Sequence, residues 1–229
     1  MAEMILAGNP PYEVALRRSG RCRRLSLRVS RLDGKVTLSL PRWTPETEAR
    51  AFLRDQDGWI RKHLADSPGA VVPGFGGRMV FRGEDCPIVP GRGRVVRYVN
   101  GELHVPGDPE LVAIRLQAWL KLQAREVLTE AVEYYSEELG RSYGRLSLRD
   151  TRSRWGSCTS EGNLMLSWRL VMAPADVSDY VAAHEVAHLA QMNHSPRFWA
   201  VVEQLYPQYQ PARQWLRDQG QTLHRYRFD

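Results

Sequence analysis

The sequence predicts an α+β fold in which a strand-rich, basic N-terminal region, residues 1–107, precedes a helix-rich C-terminal domain, residues 108–229. Three observations support this prediction. The first third alternates apolar and polar residues, a long segment after residue 108 has helical periodicity, and the last third carries a metal-site spacing on a further helix. The chain has 229 residues, 43% hydrophobic and 25% charged. This composition excludes collagen-like, coiled-coil and wholly disordered classes and allows a sizeable core.

The N-terminal region begins with three predicted strands, which are Tyr12–Leu16, Leu25–Val29 and Lys35–Leu40. The third strand follows Asp33-Gly34, a turn signal. Successive side chains of a strand point to opposite faces. We therefore expect Leu27 to face inward, whereas Arg24 and Arg28 lie on the outer face of the sheet.

A helix and four short strands complete this region. Pro45 opens the predicted helix, which continues to about Leu64, and a Pro- and Gly-rich connector occupies residues 67–77. The four strands are Met79–Phe81, Pro87–Val89, Val95–Val99 and Leu103–Val105. Asn100-Gly101 joins the last two strands and is a type I′ hairpin signal.

The C-terminal domain begins with a long predicted helix, residues 108–139, which Gly140 terminates. A turn centred on Trp155-Gly156-Ser157 is predicted next. Two strands flank this turn, at Arg145–Asp150 and Asn163–Val171. Pro174 then opens a helix that carries the metal-site spacing.

The charge is unevenly distributed. The net charge is +6, and residues 1–108 hold 18 Lys and Arg against 12 Asp and Glu, whereas residues 109–229 hold 14 of each. Seven arginines lie between Arg17 and Arg31 with no acidic residue among them. Such a segment could bind nucleic acid, a phosphorylated ligand or an acidic partner. The alternative is a solvated strand face.

The cysteines and the hydropathy pattern predict a cytoplasmic protein. Cys22, Cys86 and Cys158 are odd in number and widely spaced, so they indicate neither a disulfide framework nor a CxxC metal site. The N-terminus lacks the basic and apolar regions of a signal peptide. No run of 18 apolar residues predicts a membrane span, so we expect no membrane partner.

The helix after Pro174 contains an HExxH motif from His184 to His188. These two histidines are four residues apart, so both imidazoles project from one helix face, as two ligands of a single zinc ion require. Glu185 lies about 100° further round the helix, where its carboxylate can stand beside a water molecule as general base. Chance produces this motif in roughly one chain in a hundred of this length.

Two residues compete for the third metal position. His194 can reach the metal if the helix breaks near Asn193, whose side chain tolerates left-handed backbone. Glu203, from the following helix, is the alternative ligand, and His194 is the preferred one. The metzincin pattern HExxHxxGxxH is not matched, because Gln191 replaces its glycine and no methionine follows Met192.

This donor set points to metal-assisted hydrolysis. Three neutral histidines with an open position favour zinc, or another late divalent transition metal, over magnesium. The metal lowers the pKa of a water molecule from about 16 towards about 7, and Glu185 takes the proton as general base. Glu185 can later protonate the leaving group. The sequence leaves open which second group stabilises the oxyanion, and the candidates are Tyr180, Tyr206, Tyr209, Arg169 and His224.

Further motifs surround HExxH in a fixed order. They are Trp155-Gly-Ser-Cys158, Asn163 to Trp168-Arg-Leu, Ala173-Pro174, Tyr180-Val181 and Asn193-His194-Ser-Pro-x-Phe198-Trp199. Over residues 145–210 the chain therefore resembles the YgjP-like metal-dependent hydrolases, which are related to SprT-like and minigluzincin metallopeptidases. The resemblance implies a zincin-like C-terminal domain, in which an HExxH active-site helix packs on a small sheet. It also implies His184, His188 and His194 as metal ligands and Glu185 as the base.

The motif and the resemblance lead to two enzymatic hypotheses. The first is a zinc metallopeptidase, in which Glu185 activates water to attack a peptide bond. The alternative is a nucleoside triphosphate (UTP) pyrophosphatase that uses the same site, as described for a YgjP-type relative, with the segment Arg17–Arg31 holding the triphosphate. SprT-like relatives act on proteins bound to DNA, so a module that binds nucleic acid is a third hypothesis. The segment Trp155–Cys158 is either an edge strand that aligns a peptide or a packed turn.

Overall fold

The computed structural model describes residues 3–30, 34–65 and 69–228. The chain divides into two compact units, Met1–Ala70 and Val71–Asp229, each with its own hydrophobic core. The boundary predicted between residues 107 and 108 lies inside the second unit. Both units combine sheet and helix, which confirms the predicted α+β class.

The first unit is a four-stranded sheet with two helices packed on one face. Its elements are β1 (Glu3–Ala7), β2 (Tyr12–Ser19), β3 (Ser26–Val29), β4 (Val36–Pro41), α1 (Glu46–Asp55) and α2 (Asp57–Ala65). The strand order is β1-β2-β4-β3, in which β2 and β4 are parallel and the other pairs antiparallel. Leu16 and Leu38 are neighbours in the sheet and are buried with Leu53 and Ile60 of the helices. The residues that alternate with them along these strands point away from the helices, to the opposite face of the sheet.

The first unit differs from the prediction at two places. The strand β1 was not predicted, because Met4, Ile5 and Leu6 are apolar in succession and hide the period of two. The single helix predicted from residue 45 to 64 is interrupted at Gln56, which caps α1. Gly34 adopts the positive φ expected of the predicted turn, whereas Arg31 and Asp33 lie outside the described residues.

In its described part the second unit contains two sheets and four α-helices. The first sheet holds β5 (Arg78–Phe81), β6 (Glu84–Pro90), β7 (Arg97–Val99) and β8 (Glu102–Val105), in the order β5-β6-β8-β7. The second holds β9 (Leu146–Arg149), β10 (Gly156–Cys158) and β11 (Leu164–Ser167), in the order β10-β11-β9. The helices are α3 (Val112–Leu139), α4 (Ala175–Ala187), α5 (Pro196–Leu205) and α6 (Tyr209–Asp218). The strand β10 is therefore an edge strand.

The helix α4 lies in the centre of the second unit. Nine of its 13 residues are buried, on all sides of the helix. It packs against α3, in which Leu116, Leu120, Ala124 and Leu128 recur every four residues and are fully buried. A helix that is apolar all round requires a buried position. The packing therefore fixes α4, and with it the HExxH motif, rigidly in the core.

Among the described residues, no helix is long and apolar enough to cross a membrane.

The long helix and the hairpin before it follow the sequence prediction closely. The helix α3 begins at Val112, slightly later than predicted, because residues 109–111 form a short 3-10 helix. It ends at Gly140, whose φ of 66° provides the left-handed cap. Asn100 and Gly101 both have positive φ, as a type I′ turn requires.

Of the two alternatives predicted for Trp155–Cys158, the edge strand is confirmed and the turn is wrong. Residues 156–158 form β10, and the chain reverses after it, at Thr159–Gly162, where Gly162 has a φ of 75°. The predicted strand 163–171 also divides into β11 and a 3-10 helix at residues 168–172. Residues 166–173 are all buried and show no period, so the sequence cannot reveal where the strand ends.

The C-terminal segment, residues 220–228, is docked on the second unit. It forms a 3-10 helix, Gly220–Arg225, after which Tyr226 bridges to Val71. The buried guanidinium of Arg169 donates to the carbonyl groups of Leu223 and Tyr226, at 2.9 and 3.2 Å, and pairs with Asp150 at 2.7 Å. The segment is therefore an integral part of the core and not a loose tail.

Candidate metal centre

Three histidines converge at the C-terminal end of α4. His184 lies on this helix, His188 directly after its last residue, and His194 in the connection to α5. Their ligand nitrogens all lie within 4.8 Å of one another, and Nε2 of His184 is 3.2 Å from Nε2 of His194. Nitrogens bound to a tetrahedral zinc at about 2.0–2.1 Å lie roughly 3.3 Å apart. The donor set therefore fits a zinc ion, and it is the one such cluster found in the described part of the chain.

The chain reaches His194 by a different route from the one predicted. The helix α4 already ends at Ala187, and a turn over residues 188–190 changes the direction of the chain. Asn193 does not adopt positive φ. Its side-chain oxygen instead accepts a hydrogen bond from the Ser195 N–H at 3.2 Å, a local turn of the kind that asparagine favours. This turn precedes Pro196, the first residue of α5, and brings His194 back towards His184.

The aromatic ring of Phe198 packs against all three histidines. Its side chain is fully buried, and its ring centroid lies 4.9 Å from that of His184, 4.4 Å from that of His188 and 4.7 Å from that of His194. Phe198 belongs to the first turns of α5. The position of this helix therefore determines the spacing of the imidazoles.

The orientation and charge of the imidazoles suit metal ligation. Nδ1 of His188 lies 3.0 Å from the carbonyl oxygen of Gln191, which can only accept, so Nδ1 carries the hydrogen and Nε2 keeps the lone pair. The hydroxyl of Tyr180 lies 3.5 Å from Nδ1 of His184. Burial and the two neighbouring histidines lower the pKa of His184 to about 3, and burial also lowers the pKa of His188. Both rings are thus neutral near pH 7, as metal ligands must be.

Glu185 is buried beside the histidines and against β10. Only 5% of its surface is exposed, and its Oε2 has no hydrogen-bond partner among the described residues. Burial raises the pKa of its carboxyl to about 8, against a smaller opposing effect of Arg154. A Cβ atom at Gly156 would lie 2.5 Å from Oε1 of Glu185. The glycine therefore provides the space that the carboxylate occupies.

The other candidate residues are distributed as follows. Glu203 is exposed on α5 and is not part of the histidine cluster. The guanidinium of Arg169 is occupied by Asp150 and by backbone carbonyls, and His224 stacks on Trp155. Of the five oxyanion candidates, Tyr180 has a hydroxyl beside His184, and burial raises its pKa to about 12.

A cleft of about 710 Å³ opens beside His188. Its walls are the C-terminal end of α3 with Arg141, the turn Thr159–Gly162 after β10, and Leu189 and Met192 after α4. The lining is mainly polar, and Leu139, Leu189 and Met192 are its apolar residues. The cleft therefore offers space for an extended ligand next to the histidine cluster.

Sequence reasoning missed two contributors to the site. Gly156 was interpreted as part of a turn, although its role is to make room for Glu185. The Gln191 carbonyl orients His188, but a backbone carbonyl carries no side-chain signal. The spacing of the motif reveals the ligands but not the groups that hold them in place.

Comparisons with known proteins identify the family of the chain. The model of the YgjP-like family, described as a metallopeptidase domain, matches residues 23–219. Among solved structures, the metallopeptidase zymogen of Pyrococcus abyssi abylysin is similar at 21% identity, over 40% of this chain and 95% of that chain, with a TM-score of 0.36. No curated protein matches the chain significantly. Because the family match spans most of the chain and confirms the resemblance of its motifs, the chain belongs to the YgjP-like family, whose metallopeptidase domain makes it a metal-dependent hydrolase.

Proposed function

We propose that this protein is a zinc metallopeptidase in which His184, His188 and His194 bind the metal and Glu185 is the general base. The observation that carries the proposal is the convergence of three imidazoles next to a buried glutamate and an edge strand. A donor set of three imidazole nitrogens favours zinc, or another late transition metal, over the oxygen-seeking magnesium and calcium. The metallopeptidase domain supports a peptide substrate.

Each residue of the site has a defined role in this proposal. When bound, the metal supplies a Lewis acid that lowers the pKa of water and polarises a carbonyl oxygen. Glu185 accepts the proton of the attacking water and delivers it to the leaving amine. Its Oε2 is free of protein partners and so remains available to water. Tyr180, beside Nδ1 of His184, holds that ring in place and stays protonated.

The edge strand β10 is proposed to align the substrate. One side of β10 pairs with β11, and its other side has no strand partner among the residues that the structure describes. Extended peptides bind such an edge through main-chain hydrogen bonds. Because Gly156 touches Glu185, a peptide paired with β10 runs past the general base. The cleft beside His188 then receives its side chains.

The proposal is tested by a product screen with mass spectrometry. Zinc-loaded protein is incubated with unfolded proteins, with and without single-stranded DNA, and separately with nucleoside triphosphates. Glu185→Gln is the inactive variant, and Glu203→Gln is its matched control, because Glu203 is exposed and outside the cluster. Peptides that form with the wild type and Glu203→Gln but not with Glu185→Gln support the proposal.

Other outcomes of the screen contradict the proposal in part or in full. Turnover that persists in Glu185→Gln removes this residue from the mechanism. Nucleoside monophosphate and pyrophosphate, without peptides, favour the pyrophosphatase that uses the same site. A cytoplasmic location stays a prediction.

A further inference from the structure

Five arginines lie at one end of the sheet in the first unit. The strands β2 and β4 are parallel and β3 is antiparallel to them, so the C-terminal ends of β2 and β4 meet the start of β3. We call this region the basic sheet end. It consists of Arg17, Arg21, Arg23, Arg24, Arg42 and Trp43. All six side chains belong to exposed residues.

The five arginines of the basic sheet end have no acidic partners among the described residues. The neighbouring Glu3 is occupied by Arg18, at 3.3 Å, and two further ion pairs of the unit lie on its helices, within α1 and within α2. Unpaired arginines close together create a positive potential that attracts polyanions. Solubility alone does not explain this cluster, because a soluble surface usually carries positive and negative side chains interspersed.

Trp43 adds an aromatic surface to these charges. It is 74% exposed, more than any other large apolar side chain of the described residues. The next residue, Thr44, accepts a hydrogen bond from Arg18 at 2.6 Å through its carbonyl oxygen, which fixes Trp43 at this end of β2. An exposed indole among arginines is the arrangement on which unpaired bases stack. Trp43 makes no contribution to the core that would otherwise explain it.

We propose that the basic sheet end binds single-stranded nucleic acid, with the arginines on phosphates and Trp43 stacked on a base. The strands β2 and β3 are two strand spacings apart, roughly 10 Å. A stacked strand covers this distance with about three phosphates. The phosphates of a nucleoside triphosphate span less than this distance. The bases of a duplex are paired and stacked on one another, so they are not free to stack on the indole of Trp43. The proposal does not depend on the proposed peptidase activity.

The test is fluorescence anisotropy of a labelled oligothymidine with the full-length protein at several salt concentrations. The logarithm of the binding constant should fall linearly with the logarithm of the salt concentration, with a slope of about −0.7 for each phosphate contact. The double variant Arg17→Ser, Arg24→Ser should reduce this slope by about 1.4. The matched control is Arg54→Ser, which removes an exposed charge from α1 and should leave the slope unchanged.

The stacking part of the proposal has its own variant. Trp43→Ala should weaken binding about five- to hundredfold. Trp59→Ala, which removes another exposed indole from α2, should leave the affinity unchanged. Thermal unfolding shows whether the variants fold, and all the substituted side chains are exposed. Equal binding of a duplex, an equal effect of Arg54→Ser, or full affinity in Trp43→Ala would overturn the proposal. Displacement of the oligonucleotide by an equal concentration of a nucleoside triphosphate would also overturn it.

Discussion

Replacing Gly156 by alanine should disable Glu185, the proposed general base, and leave the proposed metal ligands in place. A Cβ atom at this position would lie 2.5 Å from Cγ and Oε1 of Glu185 and 2.6 Å from its Cδ. Gly156 does not have positive φ, so alanine introduces no backbone strain. The steric contact with Glu185 is therefore the main consequence of the substitution.

The expected magnitude follows from these distances. Carbon atoms in contact are normally about 3.5–4.0 Å apart, so the Glu185 side chain must move by roughly 1 Å. The carboxylate is only 5% exposed and has little free space for such a movement. A misplacement of about 1 Å costs around a hundredfold in rate, or about 2.7 kcal/mol of transition-state stabilisation. We expect kcat to fall by this factor with little change in KM.

The assay compares kcat and KM for a peptide substrate with the zinc content of each variant. Gly74→Ala is the matched control, because a Cβ at this position meets no atom within 4 Å. Unchanged kcat in Gly156→Ala with a full complement of zinc would refute the reasoning. Loss of zinc would also refute it, since the displacement would then have reached the histidines.

Three further predictions concern stability. Phe198→Ala should lower the free energy of unfolding by about 3–5 kcal/mol, because it leaves a cavity at a fully buried position beside the histidines. Urea titrations measure this loss, and a value below about 1 kcal/mol would contradict the role of Phe198. Removal of zinc by a chelator should lower the Tm in calorimetry, since a ligand at 100 times its Kd contributes about 2.7 kcal/mol, and added zinc should restore it. Burial, with a further effect of Arg169, lowers the pKa of His224 to about 4 from 6.5. Between these values the unfolded chain binds a proton that the folded chain does not, so the free energy of unfolding should fall by up to about 3 kcal/mol as the pH drops from 6.5 to 4. Urea titrations across this pH range measure the effect, and His224→Gln should flatten it.

The sequence predicted that His184 and His188 lie together because helix geometry alone determines this pair. Residues at i and i+4 share a helix face, so His184 and His188 must lie together if the segment is helical. The route to His194 was predicted wrongly, because α4 ends at Ala187 and the next residue, His188, stacks on Phe198 of α5. Local sequence signals, such as the preference of asparagine for left-handed backbone, do not contain that information.

The strand β10 shows where sequence reasoning reaches its limit. The composition of Trp155-Gly156-Ser157 is typical of a turn, and only pairing with β11 makes it a strand. Trp155 is held by stacking on His224, a residue far along the chain, at 5.1 Å between ring centroids. Long-range contacts of this kind override local preference. The same holds for Gly156 and Glu185, whose contact leaves no trace in the spacing of either motif.

The N-terminal and C-terminal segments of the second unit are adjacent in space. The N–H of Val71 donates to the carbonyl of Arg225, and the N–H of Arg227 donates to the carbonyl of Val71, both at 2.8 Å. Domains whose ends are adjacent tolerate circular permutation and insertion into other proteins. A permutant that joins residue 228 to residue 71 by a short linker, and opens the exposed loop at Gly93, should keep the histidine cluster intact. We therefore expect the second unit to fold as a module when it is inserted into another chain.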